Sequence, residues 1–249
     1  MDVLALIGVV VAFAAILMGN ALEGGQLSAL VDYPALLIVL GGTFGAVILQ
    51  TPRDKLQRAG RIIKWVLLPP KFNSESEISR IAGWSRLARR EGLLGLENTL
   101  DEVKDPFQRK GLELVIDGLE PQTIRRLMET DSQAHTDEDL AATGVFRAMG
   151  GYAPTIGILG AVIGLIQVMG NLANPEELGQ GIATAFVATI YGVGFANLLF
   201  LPIADRLRSI VIHSANIDEL FIEGFMAIAE GDHPKSVEVR LRGFLGGSG

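Results

Sequence analysis

Four stretches of the chain contain no Asp, Glu, Lys, Arg or His: residues 3–21, 33–50, 151–172 and 180–203. Each is near the roughly 20 apolar residues that a helix rising ~1.5 Å per residue needs to cross ~30 Å of hydrocarbon. Backbone in lipid must satisfy its own hydrogen bonds, so stretches of this kind are predicted to be membrane helices. The 49 charged residues (21 basic plus 28 acidic) are confined to the remainder. The mean hydropathy of +0.37 reflects that division. The first stretch is expected to be retained and not cleaved as a leader. Met1 and Asp2 supply no positive segment, and the apolar run 3–18 is long for a cleavable one.

The stretches pair into two hairpins, and the pairing sorts charge. Connection 22–32 contains Glu23 and Asp32, connection 173–179 contains Glu176 and Glu177, and neither has a lysine or arginine. Segment 51–150 carries 16 Lys and Arg and residues 204–249 carry five, which together are all 21. Arg53, Lys55, Arg58, Arg61, Lys64, Arg147, Arg206 and Arg208 stand close to the apolar runs, where basic residues set orientation. The expected layout is a multi-pass membrane protein with both termini cytoplasmic. Residues 1–50 form a first transmembrane hairpin and 51–150 a cytoplasmic helical domain. Residues 151–203 form a second, pore-lining hairpin, and 204–249 a cytoplasmic helix and tail.

Outside the hairpins the patterning is helical, which makes the chain all-α. Leu56, Ile62, Ile63, Trp65 and Val66 alternate with Arg58, Arg61 and Lys64 in a pattern suited to a helix lying on the membrane surface, stopped by Pro69 and Pro70. Residues 73–130 read as three or four amphipathic pieces punctuated by Gly92, Gly95, Pro106, Gly118 and Pro121. Ser74 followed by Glu77 has the spacing of a capping box. After Pro202 the helix is expected to continue to about Ala229, with Ile210, Ile217, Leu220, Phe221 and Phe225 on its apolar face. Gly246, Gly247, Ser248 and Gly249 read as a linker-like end.

Several functions are excluded by what the residues lack. There is no cysteine, and His135, His213 and His233 lie far apart without ligand spacing, so no metal site or cofactor is expected. A net charge of -7 without a basic, aromatic-interleaved stripe argues against a nucleic-acid partner. No nucleophile, metal cluster or phosphate loop points to an enzyme.

The hairpins themselves narrow the choice. A channel working alone keeps an ionisable group in its interior to pass a proton or cation along, and these stretches have none. Their polar atoms are concentrated in the second pair: Thr155, Gln167 and Asn171, then Thr184, Thr189, Tyr191 and Asn197. Two roles are open to them, helix-to-helix hydrogen bonding or hydration of a path beside a carboxylate that another chain supplies. Gly41, Gly42 and Gly45 in the second stretch permit close helix approach, as do Gly157, Gly160 and Gly164 in the third and Ala183, Ala185, Ala188, Gly192 and Gly194 in the fourth. Pro154 and Pro202 stand where the third stretch begins and the fourth ends, each able to kink its helix or to mark a simple bend.

Three segments carry a resemblance. GVFRAMGGYAPTIGILGAVIGL at 144–165, AFVATIYGVGFANLLFLPIADRL at 185–207 and ARREGLLGLE at 88–97 are similar to corresponding segments of the MotA/PomA flagellar stator proteins. The likeness runs from the first span to about residue 240 and is nearest in pattern to the MotC branch. It implies a ring, a pentamer, in the membrane lipid around a dimer of a MotB-type partner, which has a peptidoglycan-binding domain and one membrane helix bearing the proton-accepting aspartate.

By position, Pro154 and Pro202 match the family's two prolines that couple ion passage to conformational change. Arg89, Arg90 and Glu97 match the charges that engage the rotor protein FliG. Arg90 and Glu97 share a face only if one helix continues through Gly92 and Gly95. The family often has a second acid after the first, where this sequence has Asn98. Sodium-driven members have a threonine where Ala161 stands, while Thr189 keeps the matching fourth-span hydroxyl. The implied ion is therefore H+ in preference to Na+, with Thr155 and Thr189 beside its path. A TolQ/ExbB-like energiser of an envelope process is the alternative, and a membrane scaffold without ion flux a further one.

Overall fold

The computed structural model describes residues 3–70, 73–170 and 175–246, apart from the side chains of 3–6, 175–177, 180 and 244–246. Met1, Asp2, Asn171, residues 173–174 and Gly247 to Gly249 lie outside the described residues, as do the side chains of Glu176 and Glu177.

All regular structure among the described residues is helical. Helix α1 is Val3–Leu22 and α2 is Tyr33–Gln50, with a 3-10 turn Leu27–Leu30 between them. Helix α3 is Arg53–Ile62, followed by a 3-10 turn Ile63–Val66. Helix α4 (Ser74–Glu91) leads through a 3-10 segment Leu93–Glu102 to α5 (Pro106–Ile116). Helix α6 is Pro121–Gly170, a single helix of 50 residues, and α7 is Pro175–Phe195. A π turn Ala196–Phe200 joins α7 to α8 (Leu201–Ala229), and α9 is Pro234–Gly246. Among the described residues three helical stretches are long and apolar enough to cross a membrane: Leu27–Gln50, Pro121–Gly170 and Gly181–Ala229. Helix α1 adds an apolar helix of 20 residues.

The helix starts follow local chemistry, with one correction. Asp32 caps α2, its carboxylate accepting from the Ala35 N–H at 2.8 Å, and Asp105 caps α5 by accepting from the Gln108 N–H at 3.1 Å. The expected Ser74–Glu77 capping box does not form. Asn73 is the cap, accepting from the Ser76 N–H at 3.4 Å, and Glu77 pairs with Arg80. Asn73 already holds the extended backbone a cap needs, and Ser74 is inside the helix.

The chain forms two compact units, residues 1–69 with 138–209 and residues 70–137 with 210–249. In the first, Val47, Ala59, Ile62, Phe146, Ala153, Phe200 and Leu207 share one buried cluster. Arg58 grips Asp139 with two N–H donors, the Nη2 to Oδ2 contact being 2.9 Å. This fork raises the Arg58 pKa through its hydrogen bonds to Asp139, and paired bonds between charged groups are the strong kind. Residues 51–69 and 138–150 therefore pack with the apolar helices.

The second unit is held by a ring cluster. Trp84 stacks on Phe225 with centroids 6.0 Å apart, Phe221 completes the group at 6.2 Å from Trp84, and the Arg80 guanidinium lies over both Trp84 and Phe221 at 5.2 and 5.3 Å. Gly111 makes room for it, since a Cβ there would stand 2.2 Å from the Phe225 ring. Of the expected apolar face of α8, Ile217, Leu220, Phe221 and Phe225 are buried, while Ile210 is half-buried. Around them Arg125 contacts Glu129, Glu219 and Glu223, and Arg240 contacts Glu223 and Glu230.

Asp218 carries a burial cost in this unit, as its neighbour Glu219 does. Burial pushes its carboxyl up to about 6, against the opposing hydrogen bond from the Ser132 hydroxyl at 3.0 Å, while nearby Asp105 and Asp131 add repulsion. Its folded pKa exceeds the unfolded one. The stabilisation tied to its proton is therefore complete below the ordinary carboxylate range and is lost as pH rises through about 6. Asp218→Asn is expected to raise stability at pH 7.5 by ~1–2 kcal/mol after allowance for screening, and the gain should vanish on acidification to pH ~4. Thermal denaturation of both proteins across that range checks it.

Candidate functional site

Helices α6 and α7 approach at backbone distance. A Cβ on Gly157 would stand 2.8 Å from the Ala188 carbonyl oxygen and 3.0 Å from the Gly192 Cα. One on Gly192 would stand 2.6 Å from the Ala153 carbonyl and 3.2 Å from the Pro154 Cα. Gly164 meets Gly181 and Ala185 in the same way, and Gly160 meets Ala188 and Ile38. The small-residue pattern thus packs α6 on α7, as small residues do where no hydrophobic force drives helices together. On α2 only Gly42 takes part, against Ile156, while Gly41, Gly45 and Gly194 face open space.

The prolines belong to one neighbourhood. Pro154 lies inside α6, beyond its first turn, and deprives the Gly150 carbonyl of its helical donor. Gly150 itself packs on Leu201, whose Cδ2 would be 2.5 Å from an added Cβ. Leu201 immediately precedes Pro202. The turn before Pro202 is the π turn Ala196–Phe200, closed by the Leu201 N–H donating to the Ala196 carbonyl. A π turn absorbs the missing proline donor and the clash with the preceding turn by widening the helix locally.

The hydroxyls sort into two groups. Thr155 is exposed and Thr189 half-buried, each donating back into its own helix, to the Tyr152 carbonyl at 2.8 Å and the Ala185 carbonyl at 3.3 Å. Their oxygen lone pairs remain available to whatever lies on that face. Ala161 is half-buried and brings no oxygen. Asn197 likewise bonds within its helix, to the Val193 carbonyl at 2.9 Å.

Thr184 and Tyr191 do the opposite and tie α7 to the 22–32 connection. The Thr184 hydroxyl donates to Asp32 Oδ2 at 2.5 Å, the Tyr191 hydroxyl donates to the Leu30 carbonyl at 2.6 Å, and it accepts from the Asp32 N–H at 3.1 Å. The sequence treats Asp32 only as a non-basic connection residue. A local signal for half its role exists, because Asp ahead of Tyr33 and Pro34 is a helix-cap pattern. Its partners on α7 are about 150 residues away and leave no such trace.

The charged trio of the second unit is not on one helix face. Helix α4 ends at Glu91, Gly92 turns at φ +80°, and Glu97 lies in the following 3-10 segment. The continuous helix that Arg90 and Glu97 need to share a face is therefore broken at Gly92. Arg89 donates to the Gly231 carbonyl at 3.0 Å, Arg90 pairs with Glu91 with Nε to Oε1 at 3.0 Å, and Glu97 is exposed. All three sit at the α4 end and the segment after it.

Fold and site define an all-helical membrane protein in which the tightly packed α6–α7 pair, with the π turn and the start of α8, carries hydroxyls and the prolines Pro154 and Pro202 but no Asp, Glu, Lys, Arg or His over residues 151–170 and 181–203. Comparison with known proteins makes this specific. Residues 99–218 match the MotA/TolQ/ExbB proton channel family, and residues 6–92 match the Motility protein A N-terminal model. Motility protein A of Bacillus subtilis is 37% identical over 98% of this chain and 91% of its own. A solved structure of C. jejuni MotAB superposes with a TM-score of 0.93 at 28% identity, covering 98% of this chain and 96% of that one. The flagellar MotAB stator complex from Bacillus subtilis gives 0.87 at 36%, covering 94% and 92%. The chain belongs to the MotA/TolQ/ExbB proton channel family, and within it is a MotA-type stator subunit of the flagellar motor. It is an inner-membrane motor component and not an enzyme.

Tyr191→Phe strips the half-buried Leu30 carbonyl and Asp32 N–H of their shared partner, a loss of ~0.5–1.5 kcal/mol. The thermal midpoint of the purified assembly is expected to fall, while Thr189→Val, which removes a bond internal to one helix, should lower it less.

Proposed function

We propose that this subunit forms a proton path together with a MotB-type partner, whose single membrane helix supplies the carboxylate that accepts the proton. The observation that carries this reading is the absence of an ionisable group from residues 151–170 and 181–203, in a chain assigned to a proton channel family. Charge crossing a bilayer needs a group to receive it, so the receptor must come from elsewhere. Thr155 and Thr189, with lone pairs open, line the path, and Ala161 offers no oxygen to replace a sodium ion's water, which favours H+.

The chain crosses the membrane four times, with α1 as the first span and α3 on the cytoplasmic surface, so that both termini and the basic segments are cytoplasmic. Residues 1–50 and 151–203 are the two hairpins, and 51–150 and 204–249 the cytoplasmic parts. Five copies surround two copies of the partner. Each charge crossing 100 mV releases ~2.3 kcal/mol. Protonation alters how the partner's carboxylate fits against α6 and α7, and Pro154 and Pro202 convert the change of fit into a bend. Arg89, Arg90 and Glu97 then meet the rotor protein FliG through surface charges worth ~0–1 kcal/mol each, which suits a contact made and released repeatedly. A TolQ/ExbB-like energiser is the alternative, and the match of residues 6–92 to the Motility protein A N-terminal model weighs against it.

In cells lacking every other stator, deletion of this gene should abolish swimming and the intact gene restore it. Rotation is expected to stop with a protonophore and to be indifferent to external sodium. Rotation that tracks sodium would overturn the proton assignment. In the same background Pro154→Ala should leave membrane assembly intact and remove most of the torque. Arg90→Glu should weaken torque in a way that an opposite charge change on FliG restores, as measured by tethered-cell rotation.

A further inference from the structure

We propose that the cleft between α1, the 3-10 turn after α3 and the Pro202 turn binds an acyl chain of an anionic phospholipid. The inference rests on the chain lying in a bilayer with its basic end at the surface, and it is independent of ion conduction and torque. The cleft holds about 620 Å3, within the ~300–1,000 Å3 of ordinary ligand sites. Gly8, Val9 and Ala12 of α1 form one wall and Ile63, Leu67 and Leu199 others, all presenting carbon. Gly8 has nothing within 4 Å of the place a Cβ would occupy, so the protein leaves this space open.

The rim has the opposite character. Arg206 completes the lining, its Nε donating to the Val66 carbonyl at 3.1 Å, which fixes the guanidinium at the cleft. Arg61 and Lys64 are exposed on the same short segment as the lining residues Ile63 and Leu67. Residues 53–64 carry five basic side chains against the single acid Asp54, and of the five Arg58 is already paired with Asp139. Ile63, Leu67 and Leu68 are 41%, 43% and 58% exposed, so apolar surface continues from the cleft toward the flank. An apolar cleft with a cationic rim is complementary to one ligand class, a hydrocarbon tail joined to an anionic phosphate. A zwitterionic lipid fits the cleft but gains less from the rim. Pro202 lines the same cleft, so the occupant packs directly on the helix joint.

The full-length chain, purified in the assembly it forms in the cell and placed in nanodiscs of phosphatidylglycerol and phosphatidylcholine, tests this. Photolabelling uses a phosphatidylglycerol with a diazirine in its acyl chain. Label should concentrate on peptides containing residues 8–12 and 63–67, with unlabelled phosphatidylglycerol competing about five-fold better than phosphatidylcholine. Lys64→Gln with Arg206→Gln should erase that preference, and Ala12→Trp should lower labelling several-fold by filling the cleft. Label spread over the exposed faces of α2 and α6 without headgroup preference would mean annular lipid only and would overturn the site. So would a disulfide between cysteines placed at Ala12 in one copy and Leu67 in the next, which would make a second copy the occupant. No labelling anywhere would overturn the membrane placement itself. The labelling pattern of the unmutated protein decides the question even where a variant does not assemble.

Discussion

The close approach of α6 and α7 governs the first unit. With Gly157 and Gly192 in backbone contact, neither helix can take a side chain at the crossing, and the flanking Gly160, Gly164, Gly181, Ala185 and Ala188 extend the constraint over several turns. In lipid there is little hydrophobic reward for helix association, so dispersion between backbones carries more of the load than in a water-soluble bundle. The same crossing seats Pro154 against α7, which places the weakest point of α6 where it is best supported.

Polar bonds fix what the seam leaves free. Thr184, Tyr191 and Asp32 anchor α7 to the connection before α2, and Tyr152 donates to Gln50 at 2.9 Å to hold the other end of α2 against α6. Arg58 and Asp139 add a fork that joins α3 to α6. These contacts are few, long-range in sequence and strongly directional, so they determine alignment more than they add to affinity between helices.

Much of this was legible from charge and spacing. Uninterrupted apolar runs announced the helices because lipid tolerates no other open-chain solution, and residues 217, 220, 221 and 225 announced a buried face through their period. The continuity of α6 through residues 131–143 was not legible. That stretch, DSQAHTDEDL followed by AAT, has too few apolar residues to show a period, and its order comes from partners far along the chain: Asp218 for Ser132, Arg58 for Asp139. The split between Arg90 and Glu97 was half legible, since Gly92 marked a possible stop but only its positive φ made it one. Asp32 as a helix cap was legible from the residues beside it, whereas its bonds to Thr184 and Tyr191 depended wholly on tertiary proximity.

The π turn ahead of Pro202 has a geometric consequence of its own. It holds one residue more than the α turn it replaces, so the residues of α8 are out of phase with those of α7 by a full residue step. Were that surplus to migrate along the helix, each residue it passed would rotate by about 100° and advance by ~1.5 Å, with no bond broken for longer than one step. A helix carrying such a defect can relay twist the way a dislocation carries slip through a crystal, by moving a fault and not the whole rod.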